Sequence, residues 1–208
     1  MTPDAIIHRL TGSFENPGTR QSPRGDHDLN PGTHPPADLT PAAVLVPIVI
    51  RGAGPTVLFT QRTAHLEKHA GQVSFPGGHQ DPTDGTSEET ALRETEEEVG
   101  LDRRHVEIVG RLDQYLTRTA FTITPLVGLV TPPFDVTPDA HEVAEVFEVP
   151  LAFLLDPDNH QREHREYKGI NREFYAMRYG DYYIWGATAG MVVNLYQVLT
   201  DNRPQGGA

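Results

Sequence analysis

Apolar positions along this chain come in short bursts separated by polar turns, and the spacing inside each burst assigns its secondary structure. Ala43 to Ile50 is an almost unbroken apolar run, and Thr56 to Gln61 follows it across a Gly-Ala-Gly-Pro turn; both read as strands. Ser87 to Val99 reads as a helix, because Thr86 and Glu89 have the spacing of a capping box and Gly100 stands where a left-handed C-terminal residue is usual. Val106 to Tyr115 and Phe121 to Val130 predict two more strands. Glu145 to Val149 predicts a short one, and Leu151 to Leu155 a helical turn after Pro150. Arg162 to Tyr167 and Glu173 to Tyr179 form a predicted hairpin around Lys168-Gly169-Ile170-Asn171. Ala187 to Leu199 closes the chain as a helix, with Leu195 and Leu199 at i,i+4 and Met191 one turn earlier.

The N-terminal end is organised differently. Thr2 is a good N-cap, Pro3 suits the first helical position, and Ile6, Ile7 and Leu10 form a stripe that packs on the domain or on a partner subunit. Residues 14–41 are rich in Pro, Gly, Asp, Asn, Ser and His, with too few apolar groups to offset the entropy of ordering, so a flexible linker is expected. The expected organisation is therefore an N-terminal helix over 1–13, a linker over 14–41 and a folded domain over 42–203. Mixed strands with two major helices suit an α+β sandwich, a sheet held between helices.

Composition narrows the function. No apolar run approaches roughly 18 residues, and the N-terminus lacks a basic segment followed by an apolar one, so neither a membrane span nor a secretory signal is expected. A cytoplasmic protein is the expectation. The chain has no cysteine, which excludes disulfides and thiolate metal sites. Its formal charge of −12 argues against wrapping nucleic acid. The same charge means that an anionic substrate has to be met locally, by metal ions and a few placed Arg or Lys residues.

The helix at 87–99 carries the candidate chemistry. Glu94, Glu97 and Glu98 fall within roughly one third of its circumference, close to the negative end of the macrodipole, and Arg93 is the one basic side chain in the helix. Like charges at i,i+4 cost a few tenths of a kcal/mol each, so a cation should offset them. A solvated acidic face is the alternative for an isolated Glu run. Here the sequence Ser74-Phe75-Pro76-Gly77-Gly78 leads into the helix through a short polar loop, and paired glycines let the backbone approach closely and turn a carbonyl toward an ion. Carboxylate oxygens, without sulfur or imidazole, imply Mg2+ or Mn2+.

Gly78, five residues, Asp84, eight residues, then Arg93-Glu94-Thr95-Glu96-Glu97-Glu98-Val99-Gly100-Leu101 resembles the Nudix box of the pyrophosphohydrolases, Gly-x5-Glu-x7-Arg-Glu-U-x-Glu-Glu-x-Gly-U with U apolar. Asp84 replaces the Glu with one extra residue before Arg93, and Thr95 replaces an apolar U. Upstream, Leu58-Phe59-Thr60-Gln61-Arg62-Thr63 and Gly71-Gln72-Val73-Ser74-Phe75-Pro76-Gly77-Gly78 resemble the signature of the coenzyme A pyrophosphatase branch. Phe59, Thr63 and Glu67 depart from it. Glu67 stands where a basic residue is usual, and the neighbouring Lys68 could supply that charge.

The resemblance implies a Nudix-type α/β/α sandwich with a mixed sheet, and a metal-dependent hydrolase cutting the diphosphate of coenzyme A or its derivatives to 3′,5′-ADP and 4′-phosphopantetheine. It implies that Glu94, Glu97 and Glu98 hold Mg2+ or Mn2+ with the Gly78 carbonyl, and that Arg62, with Lys68, contacts phosphate. Arg93, Asp84 and Gly77 then support the site, Arg93 pairing with Asp84 and Glu97. The family places its base on a box Glu or on a distant loop. Glu97 and Glu142 are accordingly the catalytic candidates, Glu142 because His141 to Leu151 resembles a downstream stretch of the branch, with Glu145 in reserve. A Nudix hydrolase of another nucleoside diphosphate derivative, such as ADP-ribose or NADH, is the runner-up. A non-catalytic nucleotide-binding module ranks last, because all three box carboxylates are present. The partner implied is a small molecule, with a homodimer left open. The cluster Tyr175, Tyr179, Tyr182, Tyr183 and Trp185 could stack on an adenine, although packing is the commoner use of such residues.

Overall fold

Two apolar runs, Thr40–Val49 and Phe121–Val130, lie parallel and side by side over their whole length, and the other elements are arranged around that pair. A parallel central pair is buried on both faces, which is why each run is almost continuously apolar instead of alternating. The computed structural model describes residues 1–15, 23–65, 69–167 and 169–200. In chain order the elements are α1 (Pro3–Glu15), β1 (Arg24–Gly25), β2 (Thr40–Val49), β3 (Thr56–Arg62), β4 (Val73–Ser74), β5 (Gly77–His79), α2 (Ser87–Val99), β6 (Val106–Arg111), β7 (Tyr115–Leu116), β8 (Phe121–Val130), β9 (Val143–Pro150), α3 (Leu151–Leu154), β10 (Gln161–Tyr167), β11 (Ile170–Tyr179), β12 (Tyr182–Trp185) and α4 (Ala187–Leu199). Among the described residues one nine-stranded mixed sheet runs β1-β7-β8-β2-β3-β4, with β5 also on β2, β6 on β8 and β9 on β3; β10-β11-β12 form a separate antiparallel sheet.

The two faces of β2 show how the layers assemble. Val44, Val46 and Ile48 face one core together with Ile6 and Leu10 of α1 and Val192, Leu195 and Leu199 of α4. The alternate residues Ala43 and Leu45 face the other way, onto Ala91 of α2 and Leu126. Val49 meets Val99 and Leu101 on that same side. Period-two alternation thus directs β2 into two cores, and the sheet lies between helices as an α+β sandwich. The stripe of α1 is satisfied within the chain: Ile6 and Leu10 are fully buried, each contributing about 1.5–3 kcal/mol relative to exposure.

Several elements differ from the sequence reading. The run Val106 to Tyr115 is two strands: β6 ends at Arg111, and pairing with β8 resumes at Tyr115 in β7. The Asp113 N–H donates to Asn194 Oδ1 of α4 at 2.9 Å, which turns the backbone before β7 begins. Tyr182–Trp185 is a strand as well as an aromatic cluster; Tyr182 stacks on Phe147 with ring centroids 3.5 Å apart, so its face is used in packing.

Within 14–41, the stretch expected to be a linker, the described residues from 23 onward lie against the sheet. Arg24 is buried and its Nε donates to Asp113 Oδ2 at 2.7 Å, while β1 pairs in parallel with β7. Tyr115 donates its hydroxyl to Asp26 Oδ1 at 2.8 Å. Asn30 bonds the backbone of Glu173 in both directions, at 3.0 Å each. Polar contacts, which a weighing of apolar content does not register, tie this segment down. Among the described residues, no helix is long and apolar enough to cross a membrane.

Candidate active site

The loop and helix after β5 are built by local rules. Thr86 accepts from the Glu89 N–H at 3.2 Å and Glu89 accepts from the Thr86 N–H at 3.2 Å, which closes the capping box. At the other end Gly100 is left-handed (φ 68°) and its N–H reaches the Glu96 carbonyl at 3.0 Å. α2 lies on β2 and β5, so the carboxylates of its last turns face the glycine pair that precedes it.

Both glycines are required by close approach. A Cβ on Gly77, whose φ is 147°, would stand 2.4 Å from the Ala43 carbonyl oxygen; a Cβ on Gly78 would stand 2.5 Å from the Glu94 carboxylate. The Gly77 N–H is thereby free to donate to Glu98 Oε2 at 3.0 Å. Glu98 is 7% exposed, and burial pushes its carboxyl up to about 7, against the pull of the Gly77 N–H and the Arg62 guanidinium. Glu94 is also raised, chiefly by burial, with Arg93 opposing and the charges of Glu97 and Glu142 adding to the rise. Four carboxylates, Glu94, Glu97, Glu98 and Glu142, therefore crowd one another's field.

Arg93 organises the inner half of this cluster. Its Nε donates to Asp84 Oδ1 at 3.0 Å and its Nη2 to Asp84 Oδ2 at 2.8 Å, a bidentate pair. Nη1 bridges Glu94 Oε1 at 2.9 Å and Glu97 Oε2 at 3.0 Å, and Nη2 also reaches the His79 carbonyl at 3.2 Å. The guanidinium beside Asp84 holds that carboxyl well below the usual range. The expected pairing of Arg93 with Asp84 and Glu97 is present. The Asp84 substitution works geometrically: the shorter side chain also accepts from the Asp81 N–H at 2.9 Å, so the loop folds back to meet the arginine.

The outer half comes from the sheet. Arg62 ends β3, its Nη1 lying 3.7 Å from Glu98 Oε1 and 3.9 Å from Glu142 Oε2. The Arg62 Nε is buried without a hydrogen-bond partner. A register shift between Gln61 and Arg62 sets Arg62 opposite Val143, as bulges re-aim side chains beside active sites. Thr63 then clamps the neighbouring loop: its N–H donates to the Glu142 carbonyl at 2.9 Å and its hydroxyl to the His141 carbonyl at 2.9 Å. Sequence reasoning named Thr63 only as a departure from the branch signature and gave it no role in the site. Glu145 accepts the Tyr182 hydroxyl at 2.7 Å and is engaged in packing the second sheet. Lys68 lies outside the described residues.

The donor set suits a hard dication, because it is all carboxylate and mutually repelling at a helix C-terminus. The side chains do not stand gathered as a shell: among the described residues no three acidic or histidine groups converge on one point. Arg93 draws Glu94 and Glu97 to one side, while Glu98 is held at the Gly77 N–H. Charge balance and donor chemistry fit the ion.

Residues 39–174 match the NUDIX domain family model. A Yersinia pestis protein described as an uncharacterized Nudix hydrolase, NudL, is 38% identical over 197 residues, spanning 95% of this chain and 98% of its own length. DR0079 from Deinococcus radiodurans shares the fold at 13% identity, with a TM-score of 0.51 over 79% of this chain and 89% of its own. An Ap4A hydrolase from C. elegans is similar at 23% identity and a TM-score of 0.47, over 53% of this chain and 80% of its own.

Proposed function

This chain belongs to the Nudix hydrolase family, and from that premise we propose that it cleaves the diphosphate of coenzyme A and its derivatives, releasing 3′,5′-ADP and 4′-phosphopantetheine. Nudix hydrolases act on small molecules and generally use divalent metals such as Mg2+ or Mn2+. The observation that carries the reading is the pairing of an acid-lined helix end with Arg62, whose buried Nε lacks a partner while its Nη1 faces Glu98 and Glu142. The spacing from Leu58 to Gly78 supports coenzyme A over other diphosphates.

In this reading Glu94, Glu97 and Glu98, with the Gly78 carbonyl, hold the metal. When bound, the ion neutralises non-bridging phosphate oxygens and lowers the pKa of attacking water. Arg62 turns its fork to a phosphate oxygen, a geometry that lysine does not reproduce. Glu142, half exposed at the rim, accepts the proton as the water oxygen bonds to phosphorus and the bridging P–O bond breaks. Glu97 is the other candidate for that proton. Arg93 with Asp84 keeps the box carboxylates oriented, and Gly77 fixes Glu98.

Purified protein with Mg2+ or Mn2+ should be offered coenzyme A, ADP-ribose and NADH, with products identified by mass spectrometry. Appearance of 3′,5′-ADP at the highest kcat/KM supports the reading, whereas preferential turnover of ADP-ribose or NADH replaces it with the wider nucleoside-diphosphate activity. No turnover of any of them, together with unaltered nucleotide binding, would mark a non-catalytic module.

A further inference from the structure

The segment that follows β1 folds over the turn joining β7 to β8 and leaves a cavity of about 240 Å3, lined among others by Asp26, His27, His34, Thr117, Arg118 and Arg172. None of these residues belongs to the carboxylate site. The lining carries two guanidiniums, two imidazoles and one acid, with Asp28 3.9 Å from His27 Nε2 beside it, in a chain whose overall charge is −12. The lining acid is already committed. Asp26 Oδ1 accepts the Tyr115 hydroxyl at 2.8 Å and Oδ2 accepts the Arg118 N–H at 3.1 Å, so both oxygens serve the wall itself. The Arg118 guanidinium enters no ion pair among the described residues and is exposed. Gly25 lets this wall close: a Cβ there would stand 2.6 Å from His27 Nδ1 and 2.6 Å from the Leu116 carbonyl oxygen.

A relay of contacts runs from the cavity wall to the loop before α2. Thr117 Oγ1 accepts from the Phe121 N–H at 3.0 Å, the Phe121 ring meets His79 edge-on at 5.0 Å, and the His79 carbonyl accepts from Arg93 at 3.2 Å. An elongated ligand could therefore present a diphosphate to α2 and a second anionic group to this basic hollow. A guanidinium fork matches the oxygens of a phosphate. The volume equals several waters, which accommodates such a group.

We propose that this cavity is a second anion subsite, taking a phosphate monoester. Its source is the substrate's own phosphate remote from the scissile bond, and this half of the proposal rests on the coenzyme A reading above.

The test uses the full chain and two readouts. The first is calorimetric titration without metal, with inorganic phosphate and 3′,5′-ADP as probes, on wild type, Arg118→Gln and His34→Gln. The second is KM for coenzyme A and for 3′-dephospho-coenzyme A. Arg118→Gln should weaken 3′,5′-ADP binding roughly tenfold. It should raise KM for coenzyme A by a similar factor, with kcat and the KM for the dephospho form unchanged. If the variants weaken inorganic phosphate but move neither KM, the site takes free phosphate and the substrate half is overturned. If neither probe is affected by either variant, the subsite is overturned altogether. Absence of turnover on both diphosphates would sink the coenzyme A reading while the titrations still decide the subsite.

Discussion

Arg93 and Arg62 flank the same acidic cluster, yet every N–H of the Arg93 fork has an acceptor whereas the Arg62 Nε has none. The difference separates two kinds of construction. The inner half, from Gly77 through α2, is a local unit in which loop, cap and ion pairs satisfy one another. The outer half, from Arg62 to Glu142, is assembled across strands by a register shift and one threonine clamp. A saturated arginine is a scaffold. An arginine with a buried idle donor keeps hydrogen-bonding capacity in reserve, which the proposed reading assigns to a phosphate.

The largest expected effect lies within the inner half. Glu97 is 61% exposed and contacts Arg93 alone among the hydrogen bonds described, so Glu97→Gln should leave the fold intact. As ligand or base, its loss should lower kcat roughly 10²–10⁴-fold. Matching melting temperatures with an unchanged kcat would remove Glu97 from the chemistry.

Next in size is Gly77→Ala. The added Cβ meets backbone atoms, and the position has positive φ, so stability should fall by about 1–3 kcal/mol in urea unfolding. Gly78→Ala sharpens the contrast, since its Cβ meets only the Glu94 side chain. It should disturb magnesium affinity, read by calorimetry, more than the unfolding midpoint. Equal stability losses in the two variants would contradict a division between backbone support and carboxylate placement.

The arginines themselves can be exchanged in kind. Arg93→Lys cannot reproduce the fork onto Asp84 and should cost about 1.5–3 kcal/mol of stability, the worth of a charged hydrogen bond. Arg62→Lys should leave the urea midpoint within error and raise KM roughly tenfold. The reverse pattern, with Arg62 governing stability and Arg93 governing KM, would invert the assignment of scaffold and contact.

The inner half was readable from the chain because its parts are close in sequence. Capping box, box carboxylates and Gly100 define α2 with the same bounds in pattern and structure, and β8 is likewise delimited by its apolar run. The outer half was only partly legible: Arg62 and Glu142 stand out by motif, but their meeting depends on a one-residue shift between β3 and β9 that no periodicity encodes. Two-residue strands such as β1, β4 and β7 are too short to carry a period. Residues 23–36 were weighed by apolar content, whereas Arg24, Asp26 and Asn30 attach them by polar bonds to side chains and backbone far away in sequence.

The smallest effect concerns the other end of the same β3–β9 seam. There Glu148 is saturated: Arg51 donates to it through Nε at 3.1 Å and through Nη2, and Thr56 adds its hydroxyl. The Arg51 contact holds the Glu148 carboxyl below its usual value. Because the native value lies below the unfolded one, near 4.3, the unfolded chain binds more protons between them and stability rises with pH in that window. The contribution is complete above the unfolded value and is lost as pH falls through the native one. Arg51→Gln should therefore cost under about 1 kcal/mol near neutrality, since the pair is partly exposed. That difference should vanish in urea titrations below both values. A deficit that persists in acid would mean that Arg51 acts through its stacking on Phe134, in which case the two ends of the seam differ in packing and not in the saturation of their charges.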